Sequence, residues 1–161
     1  MNTRTYEFGD FQDNVTASKS LTGLEYLQQM MNGALPQAPA VSTNAIIGIS
    51  CDFGKATFAI DPQPFHFNAV GTVHGGVIST LLDTAMGCTL MTTLPKDKTF
   101  TTLELKVNFL KAITLKTKSV FATGKIIHQG KSTAYIEASL VDENNVIYAH
   151  SVCTCMILDK R

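Results

Sequence analysis

The stretch GTVHGGVISTLLDTAMG, residues 71–87 of the 161-residue chain, holds residue types that can act on an acyl group. His74, Gly75 and Gly76 open an apolar run whose single carboxylate is Asp83. A helix start presents unpaired backbone N–H groups and partial positive charge, and glycine lets a ligand approach that backbone closely. His74-Gly75-Gly76 therefore reads as a place to hold a carbonyl oxygen or a developing oxyanion, although a tight strand-to-helix turn would also use paired glycines. Asp83 is costly in apolar surroundings unless it is solvated, paired or used in chemistry. Its structural alternative is a hydrogen bond to a neighbouring strand.

The elements that must position these groups follow from periodicity. Val73 to Met91 reads as one helix, apolar nearly all round through Val77, Ile78, Leu81, Leu82, Ala85, Met86 and Leu90, and closed by Pro95. Such a helix must be surrounded by protein. Before it, Ile46, Ile49 and KATFAI suggest a hairpin. After it, Leu103, Leu105, Val107 and Phe109 alternate with Thr102, Glu104, Lys106 and Asn108, so the two sets are expected on opposite faces of a strand. KSVFATGKII, STAYIEASLV and VIYAHSVCTCMIL complete three more strands, joined by the short links HQGKS and DENN. The fold class is α+β, with five or six antiparallel strands wrapped around a long central helix.

At the N-terminus, Leu21, Leu24, Leu27, Met30 and Met31 fall at helical spacing before Gly33, and ALPQAPAVSTN is a proline-marked connector. Residues 1–18 are polar and are expected to be poorly ordered. The division is residues 1–43, an extension with a short helix, and residues 44–161, the main domain.

Bulk properties narrow the function. Thirteen basic and thirteen acidic residues leave no net charge that would attract nucleic acid or a membrane surface, and no run matches a membrane span. The polar N-terminus lacks a signal-peptide core. Four cysteines, Cys51, Cys88, Cys153 and Cys155, show no metal-ligand spacing, and the last two read as small core residues on one strand face. A cytoplasmic protein without a bound metal is expected. His66, His128 and His150 are scattered and read as structural or surface residues.

The pattern N-x5-H-G-G-x6-D, formed by Asn68, His74, Gly75, Gly76 and Asp83, resembles the active-site motif of the PaaI-type (phenylacetic acid degradation-like) hotdog thioesterases. The resemblance covers about residues 44–158. It implies a helix wrapped by an antiparallel sheet and hydrolysis of acyl-coenzyme A. It also implies the Gly75 N–H as oxyanion donor, Asn68 beside the thioester carbonyl, and Asp83 as nucleophile or general base. Thr102 matches the hydroxyl that helps position water, where serine is commoner. Within the catalytic set His74 is expected to orient the turn or a hydrogen bond rather than act as base, and Gly76 and Phe67 are expected beside the substrate. The chemistry is self-sufficient: a thioester is an activated acyl group, so a carboxylate and an oxyanion site suffice without a cofactor or triad. No G-x-S-x-G elbow occurs.

Eight lysines lie between Lys96 and Lys131, against Asp97 and Glu104 alone, and such an excess suits the phosphates of coenzyme A. Lys106, Lys111, Lys125 and Lys131 are the candidates, although a solvated strand face explains each as well. Phe65 and Phe67, close to Asn68, suit an aromatic or medium-chain acyl group. Gly75 and Asp83 are eight residues apart, about 12 Å along one helix at 1.5 Å per residue, too far for one aspartate to bridge. A homodimer with antiparallel helices is therefore the expected minimal unit; the resemblance implies the same arrangement, with Asn68 and Gly75 from one chain facing Asp83 and Thr102 of the other, and dimers are expected to pair into a homotetramer. Two further readings remain open: a hotdog dehydratase or hydratase, and an acyl-CoA binding module without catalysis.

Overall fold

The computed structural model describes residues 1–160, leaving Arg161, the last residue of the expected main domain, outside the described residues. Three short helices, α1 (Phe11–Ser18), α2 (Gly23–Met31) and α3 (Pro39–Thr43), precede the hairpin β1 (Ile47–Asp52) and β2 (Lys55–Ile60). The long helix α4 (Gly75–Met91) follows, then β3 (Lys98–Phe109), β4 (Val120–Gln129), β5 (Thr133–Asp142) and β6 (Ile147–Asp159). The six strands form one antiparallel sheet in the order β1-β2-β4-β5-β6-β3.

The sheet curls around α4. Leu81, Leu82, Ala85, Met86 and Leu90 are fully buried against Ile60, Val120, Ile136 and Leu140 of the strands, because a helix with almost no polar face can satisfy its side chains only inside protein. Close packing here depends on Gly124 of β4: a Cβ at that position would collide with the Thr89 hydroxyl of α4. That hydroxyl in turn accepts from the Ala56 N–H of β2 at 3.1 Å, tying helix to sheet. Cys153 and Cys155 are buried on one face of β6 with their sulfurs 3.8 Å apart, as small core side chains.

Two differences from the sequence-based expectation bear on the site. First, β3 does not alternate throughout. Its pairing with β6 slips between Thr102 and Glu104, leaving Leu103 as an extra, exposed residue. The bulge reverses the alternation, so Phe100 and Thr102 face α4 together with Leu105 and Val107. Thr102 thus points inward, opposite to the simple period-two expectation. Second, the N-terminal segment holds three helices where one short helix was expected. Asp10 caps α1 through the Gln12 N–H, Thr22 and Glu25 form a reciprocal capping box on α2, and Arg4 donates to the carbonyls of Ser42 and Thr43. Gly23 lets α2 rest on the end of α4, since a Cβ there would collide with the Met91 carbonyl.

Candidate active site

The turn that starts α4 is held from several directions. The His66 carbonyl accepts from the His74 N–H at 2.8 Å, and the Ile113 carbonyl accepts from the Val73 N–H at 2.9 Å. His66 is buried: its Nδ1 accepts from the Gln63 N–H at 3.1 Å and its Nε2 lies 2.8 Å from the Asn44 carbonyl. Burial holds this imidazole below its ordinary value, against the opposing pull of the Asn44 carbonyl. His74 is the N-cap residue, and its Nδ1 accepts from the Gly76 N–H at 2.9 Å. The cap consumes the Gly76 donor. The Gly75 N–H, by contrast, has no acceptor among the described residues.

Asn68 shapes the loop beside that free donor. Its Oδ1 accepts from the Val70 and Thr72 N–H groups at 3.0 and 3.2 Å, and its Nδ2 donates to the Thr72 hydroxyl at 2.9 Å. Gly71 completes the turn at φ +82°, a conformation that a side chain would strain. One Nδ2 hydrogen remains for a ligand, because an amide nitrogen carries two. Asn68, Gly75, Phe109 and Lys111 line a cleft of about 320 Å³. The Phe109 ring lies close over Gly75, 3.1 Å from where a Cβ would stand. Lys111 is carried there by the segment after β3, which is anchored when Leu110 and Lys111 donate to the Tyr148 carbonyl, and its Nζ lies 5.2 Å from the Tyr148 ring centre.

Asp83 lies in a different cavity. It is half-buried on α4, and its Oδ1 accepts from the Thr102 hydroxyl at 2.9 Å. Without the bulge at Leu103 this hydrogen bond could not form. The cavity, about 260 Å³, is walled by Tyr26, Met30, Val41, Phe58, Cys88 and Phe100 around the two polar groups. Burial, reinforced by the neighbouring Cys51 and Asp83, pushes the Cys88 thiol up to about 12, so it stays protonated.

The remaining sequence candidates are dispersed. Phe67 bridges to Val73 and packs on the core, while Phe65 lies under the Arg4 guanidinium at 3.7 Å; neither lines the Asp83 cavity. Lys106 is on the solvent face of β3, and Lys131 is exposed in the β4–β5 turn. Lys125 pairs with Glu137 at 3.1 Å in a groove on the outer face of the sheet. The structure thus groups Asn68, Gly75 and Lys111, groups Asp83 with Thr102, and leaves the two groups in separate cavities of one chain. Sequence reasoning missed the wall contributed by α2 and α3, and its one signal was the apolar helical spacing of Leu27, Met30 and Met31. Among the described residues no cluster of His, Cys, Asp or Glu could hold a metal, and no helix is long and apolar enough to cross a membrane.

Comparison with known proteins agrees with this architecture. The family model described as thioesterase superfamily matches residues 70–149, from the Asn68 loop through β5 into β6. A Saccharolobus solfataricus protein named an esterase is 31% identical over 114 residues, covering 68% of this chain and 74% of its own. A 1,4-dihydroxy-2-naphthoyl-CoA hydrolase of Listeria monocytogenes is 29% identical over 113 residues, covering 70% of this chain and 90% of its own. The PaaI protein of the E. coli phenylacetic acid degradation operon superposes with a TM-score of 0.72 at 19% identity, covering 86% of this chain and 96% of that one. The chain belongs to the thioesterase superfamily and is a thioester hydrolase with the hotdog fold.

Proposed function

We propose that the protein hydrolyses acyl-coenzyme A thioesters at two equivalent sites, each shared between the subunits of a homodimer. The observation that carries this reading is the separation of the two half-sites. Gly75 offers a free N–H in one cleft, and Asp83 is held by Thr102 in another, about 12 Å away along the same helix by its rise per residue. Neither half alone contains both an oxyanion donor and a carboxylate. A second copy related by a two-fold axis supplies the missing half twice over.

The edge of the sheet supports such pairing. β3 is 12 residues long, is paired on one side only, and exposes Leu103 and Phe109, with Leu110 exposed just beyond it. A long edge with unpaired backbone groups and exposed apolar side chains suits a covering partner, and a second β3 laid antiparallel to it would supply one. Dimers would pair further into the expected tetramer.

In the assembled site the thioester carbonyl accepts from the Gly75 N–H, with the spare Asn68 amide hydrogen beside it. The partner's Asp83 either takes a proton from water, which then attacks the carbonyl carbon, or attacks that carbon itself to give an anhydride that water opens. On either route the charge of the tetrahedral intermediate grows on the oxygen facing Gly75. The C–S bond then breaks: on the first route the departing thiolate takes back the proton held by Asp83, and on the second its departure leaves the anhydride and it is protonated by the water whose hydroxide portion opens that anhydride. Thr102 keeps the carboxylate aimed. Lys111, in the Gly75 cleft, is placed to meet the phosphates of the nucleotide. The coenzyme A reading also draws on the Listeria relative, whose name specifies a CoA thioester.

The test uses a panel of acyl-CoA esters in which thiol release, hydration of enoyl esters and simple binding are followed in parallel. Wild-type protein is expected to release thiol, and Asp83→Asn to lose about two or more orders of magnitude while still folding and binding. Hydration without thiol release, or binding without turnover, overturns the reading. An Asp83→Asn variant retaining more than about a third of the activity removes the carboxylate from the chemistry.

A further inference from the structure

The cavity beside Asp83 has a second cavity against its apolar wall. Tyr26, Ala38, Met91 and Phe100 line both, and the second, of about 420 Å³, reaches Phe11 and Val15 of α1. The two chambers thus share a wall and follow one another along α4 away from Asp83, with α2 and α3 lining both. Those two helices lie outside residues 70–149, the span that the thioesterase superfamily model matches.

Dimensions decide what such a space would hold. Asp83 and Met91 are eight residues apart on α4, about 12 Å by its rise. An extended alkyl chain advances about 1.3 Å per carbon, given C–C bonds of about 1.5 Å. The first chamber is therefore filled by about nine carbons counted from a carbonyl at Asp83, and the second takes those beyond. Apolar side chains dominate the near chamber, where Asp83 and Thr102 are tied to each other at one end. The far chamber also meets polar groups: Asn14 of α1, 6% exposed and with its Oδ1 unpaired among the described residues, and Lys160, which donates to the Ser18 carbonyl. An alkyl terminus would stop there.

We infer that the N-terminal helices form the acyl-chain site of this enzyme and select straight-chain acyl groups of more than about ten carbons. The inference rests on the acyl-CoA reading above and adds the substrate class. It also gives the N-terminal 43 residues a role, in which α2 and α3 roof the near chamber and α1 closes the far one.

The test is kcat/KM for saturated acyl-CoA esters from four to sixteen carbons. Each methylene buried contributes enough for about a three- to fourfold rise, so wild-type values should climb past ten carbons before levelling. Val15→Asp places a charge at the rim of the far chamber, at a position of α1 that is 46% exposed. It should level the climb at about ten carbons, with a tenfold or greater loss for tetradecanoyl-CoA and hexanoyl-CoA as the internal reference. Ala38→Phe, which adds bulk to the wall that both chambers share, should truncate the profile in the same way. A flat wild-type profile, or equal losses at every chain length in both variants, overturns the chamber assignment while leaving thioester hydrolysis standing. Absence of thiol release from wild-type protein at every length is instead a failure of the acyl-CoA reading itself.

Discussion

Replacing Thr102 with valine deletes one hydroxyl from the wall beside Asp83 and keeps the volume and β-branching that suit a strand. The hydroxyl donates to Asp83 Oδ1 at 2.9 Å, and hydrogen bonds to charged groups contribute about 1.5–3 kcal/mol. Asp83 is half-buried, so water replaces part of that, and about 1–2 kcal/mol of positioning is lost. At 1.36 kcal/mol per tenfold in rate, this is roughly a five- to thirtyfold fall in kcat. Because Thr102 acts through the carboxylate, KM for the CoA ester should stay within about twofold, and Thr102→Ser should restore most of kcat. The assay is steady-state thiol release with kcat and KM resolved. A Thr102→Val enzyme within twofold of wild type in kcat, or one whose loss lies in KM alone, refutes the positioning role. Serine failing to rescue valine refutes it as well.

Other consequences follow from the same geometry. Lys111→Ala should raise KM for CoA esters several-fold and leave short thioesters without the nucleotide unaffected, whereas Lys125→Ala, removing the partner of Glu137 on the outer sheet face, should change neither; equal effects on both substrates rule out phosphate contact. His66 has a folded-state pKa lowered by burial, so between that value and its unfolded value of about 6.5 the unfolded chain binds more protons. The stability it contributes is complete above about pH 6.5 and is lost as pH falls through the folded value, so a melting-temperature profile from pH 8 to 5 should slope down and His66→Gln should flatten it.

The parts legible in the sequence are those written in local pattern. α4 is visible because seventeen residues with almost no polar face admit few other readings, and its true start lies two residues later than the apolar run, where His74 becomes the cap. The Asn68-to-Asp83 motif is readable because its spacing is carried on one turn and one helix. What stays hidden depends on contacts between distant segments. Nothing near Leu103 announces a bulge; it follows from how β3 registers on β6, and it alone turns Thr102 toward Asp83. The chambers need α2 packed on the end of α4 through Gly23, a contact between residues 23 and 91 that periodicity cannot show. For the lysines, composition locates the excess, but only the fold separates Lys111, in the Gly75 cleft, from the ion-paired Lys125.

Sharing of the site between subunits is tested most directly by complementation. Asn68→Ala and Asp83→Ala, each inactive alone, are mixed in equal amounts, unfolded and refolded together, and thiol release is measured once mixed dimers are verified. In such a dimer one site collects both lesions and the other collects neither. Random pairing makes about half of the dimers mixed, so activity of the whole sample should return toward about a quarter of wild type. A sample containing mixed dimers that remains as inactive as the parents would contradict the shared site.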